Sequence, residues 1–349
     1  MKEINKKDME NVFEPENIKF INCLTKKSYC RIGLDNTFVV FKSLNNTFYL
    51  VHSDINNSII SYDLINNKKI NEIKKAHEYF IISLRYFLDK SNKRDLILSM
   101  SCFDNNIKLW DIHNFVYLLN ISNYDNKCEP LSCFLNDKDQ NYIITINNVS
   151  DYKIDTLNFK GELIKEIKDV NNSRTYIIDV YYDKTNSKNY ILTGNDGYVK
   201  SYDFNENKIY KTYFDKDKRG HHSLIIYKNK KDVIKLIESS FDGNIRIWDF
   251  HAGILLDKIK IYSKELSAGW IYSICLINNN YLFVGCYKGI IRVLDLNKKI
   301  IIKDLNDHKY PVVCIKKIYL PNLGSEVLIS QGFEDDGINL YNLCNIIHP

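Results

Sequence analysis

Long apolar runs are missing from this 349-residue chain. No stretch approaches the roughly 18 residues that a bilayer-crossing helix needs, so no membrane span is expected. The opening stretch Met1 to Phe13 mixes both charge signs without an apolar core, which excludes a signal peptide. The nine cysteines include no CxxC pair, so the ligand spacing of a zinc site is absent and no metal is expected. An odd cysteine count with no secretory leader reads as free thiols in a reducing compartment, cytoplasmic or nuclear. Many of these cysteines, including Cys102, Cys133, Cys275, Cys286 and Cys314, stand in strand-like contexts. Only 13 glycines are present, with no GxSxG, no P-loop run and no HExxH, so neither catalytic residues nor a cofactor is expected.

Strong charge of one sign is also lacking, since the net value is +5. The short basic clusters (Lys68 and Lys69; Lys228, Lys230 and Lys231; Lys298 and Lys299) fall at turns, where solvated lysines discourage edge-to-edge strand pairing. A nucleic-acid partner stays open but unsupported, because nothing in the sequence brings these clusters together. Adjacent His221 and His222 point to opposite faces of a strand and make a poor chelate.

What is present is a repeat. Taking Tyr62, Trp110, Leu157, Tyr202, Trp248, Leu294 and Tyr341 as markers, the intervals are 48, 47, 45, 46, 46 and 47 residues, which means a solenoid, a propeller or an array. Three residues before each marker stands a β-branched residue: Ile59, Ile107, Ile154, Val199, Ile245, Ile291 or Ile338. Two residues after it the side chain is always apolar (Leu64, Ile112, Phe159, Phe204, Phe250, Leu296, Leu343), and between them stands Asp or Asn. Six residues before the marker Asp recurs at Asp104, Asp151, Asp196, Asp242 and Asp335, followed by Gly197 and Gly243 in two units. Asp-Gly between apolar runs is a strong hairpin signal. Each unit thus holds a strand, a tight turn, and a marker strand that usually ends in Asp.

On these residues the chain resembles the WD40-repeat β-propellers. Trp110-Asp111 and Trp248-Asp249 are copies of the signature dipeptide, and Tyr62-Asp63 and Tyr202-Asp203 are variants of it. His77, His221 or His222, and His308 match the family's loop histidine, whereas Trp270 stands where the sixth unit would carry it and the third unit lacks both ring and acid. The resemblance implies an all-β fold, a seven-bladed propeller of four-stranded antiparallel blades. Chain beyond Asn342 is too short for a last outer strand, so Ile18 to Leu24 is expected to supply it and close the ring. The expected organisation is a tail over 1–16 and one propeller over 17–349. The resemblance also implies a structural network in each unit: His77, Ser101, Asp104 and Trp110 in the second, and His222, Ser239 or Ser240, Asp242 and Trp248 in the fifth.

The function implied is a non-enzymatic scaffold that docks peptide segments or partner domains of other proteins, as part of a complex. In this family the residue before the turn Asp projects onto one rim, which here places Phe103, Phe241 and Tyr287 there, and the chain entering innermost strands adds Tyr79, Trp270, Tyr272 and Tyr310. Exposed aromatics carry binding energy at interfaces. Phe241, Tyr287, Trp270, Tyr310, Phe103 and Tyr79 are therefore the candidate partner-binding residues. The alternative is an enzyme or small-ligand binder that uses the central channel.

Overall fold

The structure is a computed structural model, and it describes residues 12–25, 36–101, 104, 106–121, 131–147, 153–168, 175–216, 220–262, 270–333 and 337–346. Every regular element among them is a β-strand, and the strands assort into seven four-stranded antiparallel sheets. The first six blades are consecutive in sequence: Phe38–Ile73, Ile81–Ile121, Leu131–Ile167, Thr175–Phe214, His221–Lys260 and Ile271–Leu305. The seventh takes Val312–Leu320, Ser325–Gly332 and Ile338–Ile346 from the C-terminal end and Val12–Thr25 from the N-terminal end. First strands of neighbouring sheets lie side by side around the whole circle, so they are the innermost ones and the fourth strands are outermost. The molecule is a seven-bladed β-propeller.

The repeat positions explain the packing. All seven β-branched residues three before the marker are fully buried, since each sheet is sandwiched between two neighbours and both its faces need apolar side chains. Most markers and most of the apolar residues after them are buried too, while Tyr62 and Phe159 stay half-buried. The acid after the marker has a local task. Asp63, Asp111, Asp203 and Asp295 each accept backbone N–H bonds from the two residues that turn into the outer strand, and Asp249 and Asn158 act alike. Each of these turns then needs one left-handed residue, filled by Asn67, Phe115, Gly161, Asn207, Gly253 and Lys299. A bulge beside the marker follows in all six blades.

The two ends of the chain meet as expected. Ile18 pairs with Leu343, Phe20 with Tyr341 and Cys23 with Asn339, and the Phe20 ring meets Tyr341 edge-on at 5.7 Å. The strand begins at Val12, inside the stretch 1–16 expected as a tail, because a bulge between Phe13 and Ile18 lets the chain stay paired as far as Ile346. Among the described cysteines all five are free, and Cys133, Cys275, Cys286 and Cys314 are buried. Among the described residues no helix is long and apolar enough to cross a membrane.

Removing residues 1–25 should cost the seventh blade a ladder and the burial of Ile18, a loss of at least about 3 kcal/mol. Calorimetry should show a lower melting temperature that a synthetic 12–25 peptide partly restores. A truncated chain that melts like the parent contradicts closure by this strand.

Candidate docking rim

Two kinds of segment converge on one rim of the ring, the turns between second and third strands and the chain entering each innermost strand. Backbone bonds tie them together: Phe241 N donates to Gly220 O (3.0 Å), Tyr287 N to Trp270 O (3.2 Å) and Phe333 N to Pro311 O (2.8 Å). Innermost strands also carry a bulge at their entry, which leaves Tyr176 and Tyr272 as extra residues between paired neighbours. A bulge re-aims a side chain, and here both rings turn toward Phe241. Nothing in the repeat phrase announces these bulges, so sequence reasoning missed Tyr176 and did not separate Tyr272 from its neighbours.

The result is one aromatic cluster. Trp270 is its hub, with ring centroids 5.1 Å from Phe241, 5.9 Å from Tyr287 and 6.4 Å from Tyr272, all near edge-to-face. Phe241 in turn meets Tyr272 and Tyr176, both at 6.3 Å. Trp270 and Tyr287 remain 41% and 37% exposed, whereas Phe241 is half-buried and Tyr272 buried. Phe241 lies so close over Gly220 that a Cβ there would sit 2.8 Å from its ring, so the glycine makes room for the aromatic. Tyr310, 45% exposed, is adjacent through the backbone: Gly289, in the left-handed region, lets the Tyr287 turn press against the carbonyls of His308 and Tyr310. Tyr79 is 48% exposed but belongs to the second blade, across the ring from this cluster. Phe103 lies outside the described residues.

Beneath the rim the expected hydrogen-bond network exists in the second blade with one correction, and the fifth blade departs from it. His77 bonds Asp104 through Nδ1 and Ser99 Oγ through Nε2, both at 2.7 Å, and the Trp110 indole N–H donates to Ser99 Oγ at 2.8 Å. The hydroxyl is Ser99 and not Ser101, because Ile97 is the residue opposite Trp110 and Ser99 opposite Lys108, which puts Ser101 one step too near the turn. The seventh blade repeats the link at 2.7 Å between His308 Nε2 and Ser330 Oγ. In the fifth blade the same register position is Glu238, opposite Arg246, and neither Ser239 nor Ser240 takes it. The side chain of His222 lies outside the described ones. Arg246, fully buried, binds Asp242, donates from Nε to Asp215 at 2.8 Å, and lies 3.7 Å from Glu238. Burial pushes the Glu238 carboxyl up to about 8, against the pull of Arg246.

A further recurring contact escaped the sequence reading. The residue two before the marker reaches to the connection that follows the preceding blade: Lys108 Nζ to Ala76 O at 2.8 Å, Arg246 to Asp215, and Arg292 Nη1 to Ile261 O at 2.5 Å. The signal was present, since Lys108, Lys200, Arg246 and Arg292 share that position. One lysine of each basic cluster meets an acid: Lys69 with Glu72, Lys228 with Asp232, and Lys299 with Asp257 of the preceding blade.

One trio has the residue types of a hydrolase. Ser43 Oγ and Asp95 both engage His113 through the same Nε2 atom, and Ser43 also donates to Asp95 at 2.7 Å. A nucleophile, base and orienting acid need the imidazole to bridge them through its two nitrogens, so this trio braces the first blade against the second. No protein-family model and no curated protein matches the chain.

Three outcomes follow from these contacts. Ser99→Ala strands the Trp110 indole donor and the His77 Nε2 acceptor and should cost about 1 to 3 kcal/mol, while Trp110→Ala should cost about 3 to 5 kcal/mol through cavity formation; chemical denaturation measures both. For Glu238 the folded-state value exceeds the unfolded one, so its neutral form favours the fold. That contribution is complete below the unfolded value of 4.5 and is lost as pH rises through about 8. Glu238→Gln should therefore gain stability relative to the parent as pH rises through this window, which melting curves across the range would show as a narrowing or reversing gap.

Proposed function

We propose that this propeller is a WD40-type, non-enzymatic scaffold that grips a peptide segment or partner domain on the rim over its fifth to seventh blades. The observation that carries the reading is the exposed Trp270, held from three sides by Phe241, Tyr272 and Tyr287. Such buttressing lowers the ordering cost of an aromatic anchor, and Trp and Tyr are the side chains that dominate interface energetics. The network of His77, Ser99, Asp104 and Trp110 supports the family reading, because it joins the loop, turn and marker strand that the resemblance singles out. Buried free thiols support a cytoplasmic or nuclear complex.

Trp270→Ala and Tyr287→Ala should each weaken partner capture by about tenfold or more while shifting the melting temperature little. Phe241→Ala should lose both capture and stability, since its ring covers Gly220 and Tyr272. The measurement is co-purification from the native organism with parent and variant side by side, followed by binding curves on each recovered protein. An unchanged set of partners with Trp270→Ala and Tyr287→Ala combined places the docking face elsewhere.

A further inference from the structure

Strand register turns the seven innermost strands into a set of equivalent positions. Val39, Arg85, Cys133, Asp179, Ile225, Cys275 and Lys316 all pair with the second-strand residue that faces the position just before the marker. Equivalent positions in equivalent blades share one level around the central channel. The rule at this level is an aliphatic side chain or a thiol, and Arg85 and Asp179 break it on either side of Cys133. Lys316 breaks it too, but its Nζ donates to Asn36 Oδ1 at 2.5 Å.

Arg85, Cys133 and Asp179 line one cavity of about 660 Å³, which opens at the rim opposite the aromatic cluster, where innermost strands end in the turns of Lys138 and Ser187. Arg85 reaches from the second blade to the fourth, where its Nη2 donates to Ile178 O at 2.9 Å. Its Nε is buried with no acceptor among the described residues, and it forms no ion pair with any of them. Asp179 forms none either; its Oδ1 accepts the Val180 N–H at 2.8 Å. Both charges are half-buried in the cavity wall, and a guanidinium presents donors in a fork that fits a carboxylate. Cys133 between them stays neutral, because burial pushes its thiol up. Toward the mouth, Phe87 and Phe134 stack at 5.0 Å and Tyr182 stands exposed, so the cavity couples a charged end to an aromatic wall.

We propose that this cavity is a second binding site, for a small zwitterion whose carboxylate is held by Arg85, whose ammonium group is held by Asp179, and whose apolar body lies along Phe87 and Phe134. A single cation would leave Arg85 unpaired and a single anion would leave Asp179 unpaired, whereas a zwitterion satisfies both. The volume lies within the range of small-molecule sites. A free aromatic amino acid and the end of a short peptide share this chemistry. The site is separate from the docking rim, on the other face of the ring, and either assignment can fail alone.

Isothermal titration of the full chain with L-phenylalanine and with the dipeptide alanyl-phenylalanine tests the proposal and separates its two sources. Saturable one-to-one binding of either probe is expected, weakened by about tenfold or more on removing one charge of the ligand, as in phenethylamine or 3-phenylpropionate. Arg85→Gln and Asp179→Asn should weaken the intact zwitterion similarly, and each should lose the discrimination against the ligand that lacks the matching charge. Should Arg85→Gln fail to fold, the ligand series on the parent protein and Asp179→Asn still decide. No saturable binding of either probe, or affinities indifferent to both ligand charges and to Asp179→Asn, overturns the site.

Discussion

Pairing of Val12–Thr25 with Ile338–Ile346 is the constraint on which the rest of the molecule depends. Every blade is apolar on both faces, so none is stable without two neighbours, and a row of such blades would end in two exposed faces. Joining the chain ends inside one sheet removes both ends of the row. It also fixes where each blade sits on the circle, and so decides which turns and strand entries become neighbours on the rim. Trp270 meets Phe241 of the preceding blade only because the sheets are held face to face.

Much of this was legible in the sequence, for a physical reason. A position that must be apolar once per blade recurs at the blade's period, so the seven β-branched residues announced themselves, and all are fully buried. The acid after the marker was equally visible, although its work as the turn-former into the outer strand emerges only from its bonds to backbone N–H groups. Register was not legible. Ser99 and Ser101 point to the same side of their strand, and choosing between them requires knowing that Ile97 faces Trp110. Bulges were hidden for the same reason, and with them the orientation of Tyr176 and Tyr272.

The site was legible in part. Phe241, Trp270 and Tyr287 were separated by up to 46 positions in sequence, and only their equivalence within the repeat suggested proximity, which the ring contacts bear out. Trp270 stood out because it occupies a place where the repeat expects histidine. Glu238 did not stand out, since the alternating pattern of its strand hides an acid facing the sheet interior as well as it hides a serine. Its partner Arg246 could have given it away, because a cation two before the marker recurs in four blades and here lies opposite an acid.

Repetition therefore serves as a ruler for function as well as for fold. A residue that recurs in every unit answers a need of every unit, which is why the repeated Asp and His residues belong to turns and networks. A departure confined to one sector answers a local need. On one face such departures gather as aromatic rings over the fifth to seventh blades, and at one level of the innermost strands they are charges, of which Arg85 and Asp179 line a single cavity. The two differ in chemistry as their surroundings demand. An open rim rewards large, weakly hydrated side chains that a macromolecular partner can cover. A concave cavity rewards polar groups that a small complementary molecule can pair. One ring thus offers two environments of different polarity and access, an aromatic rim and a charged cavity on its other face.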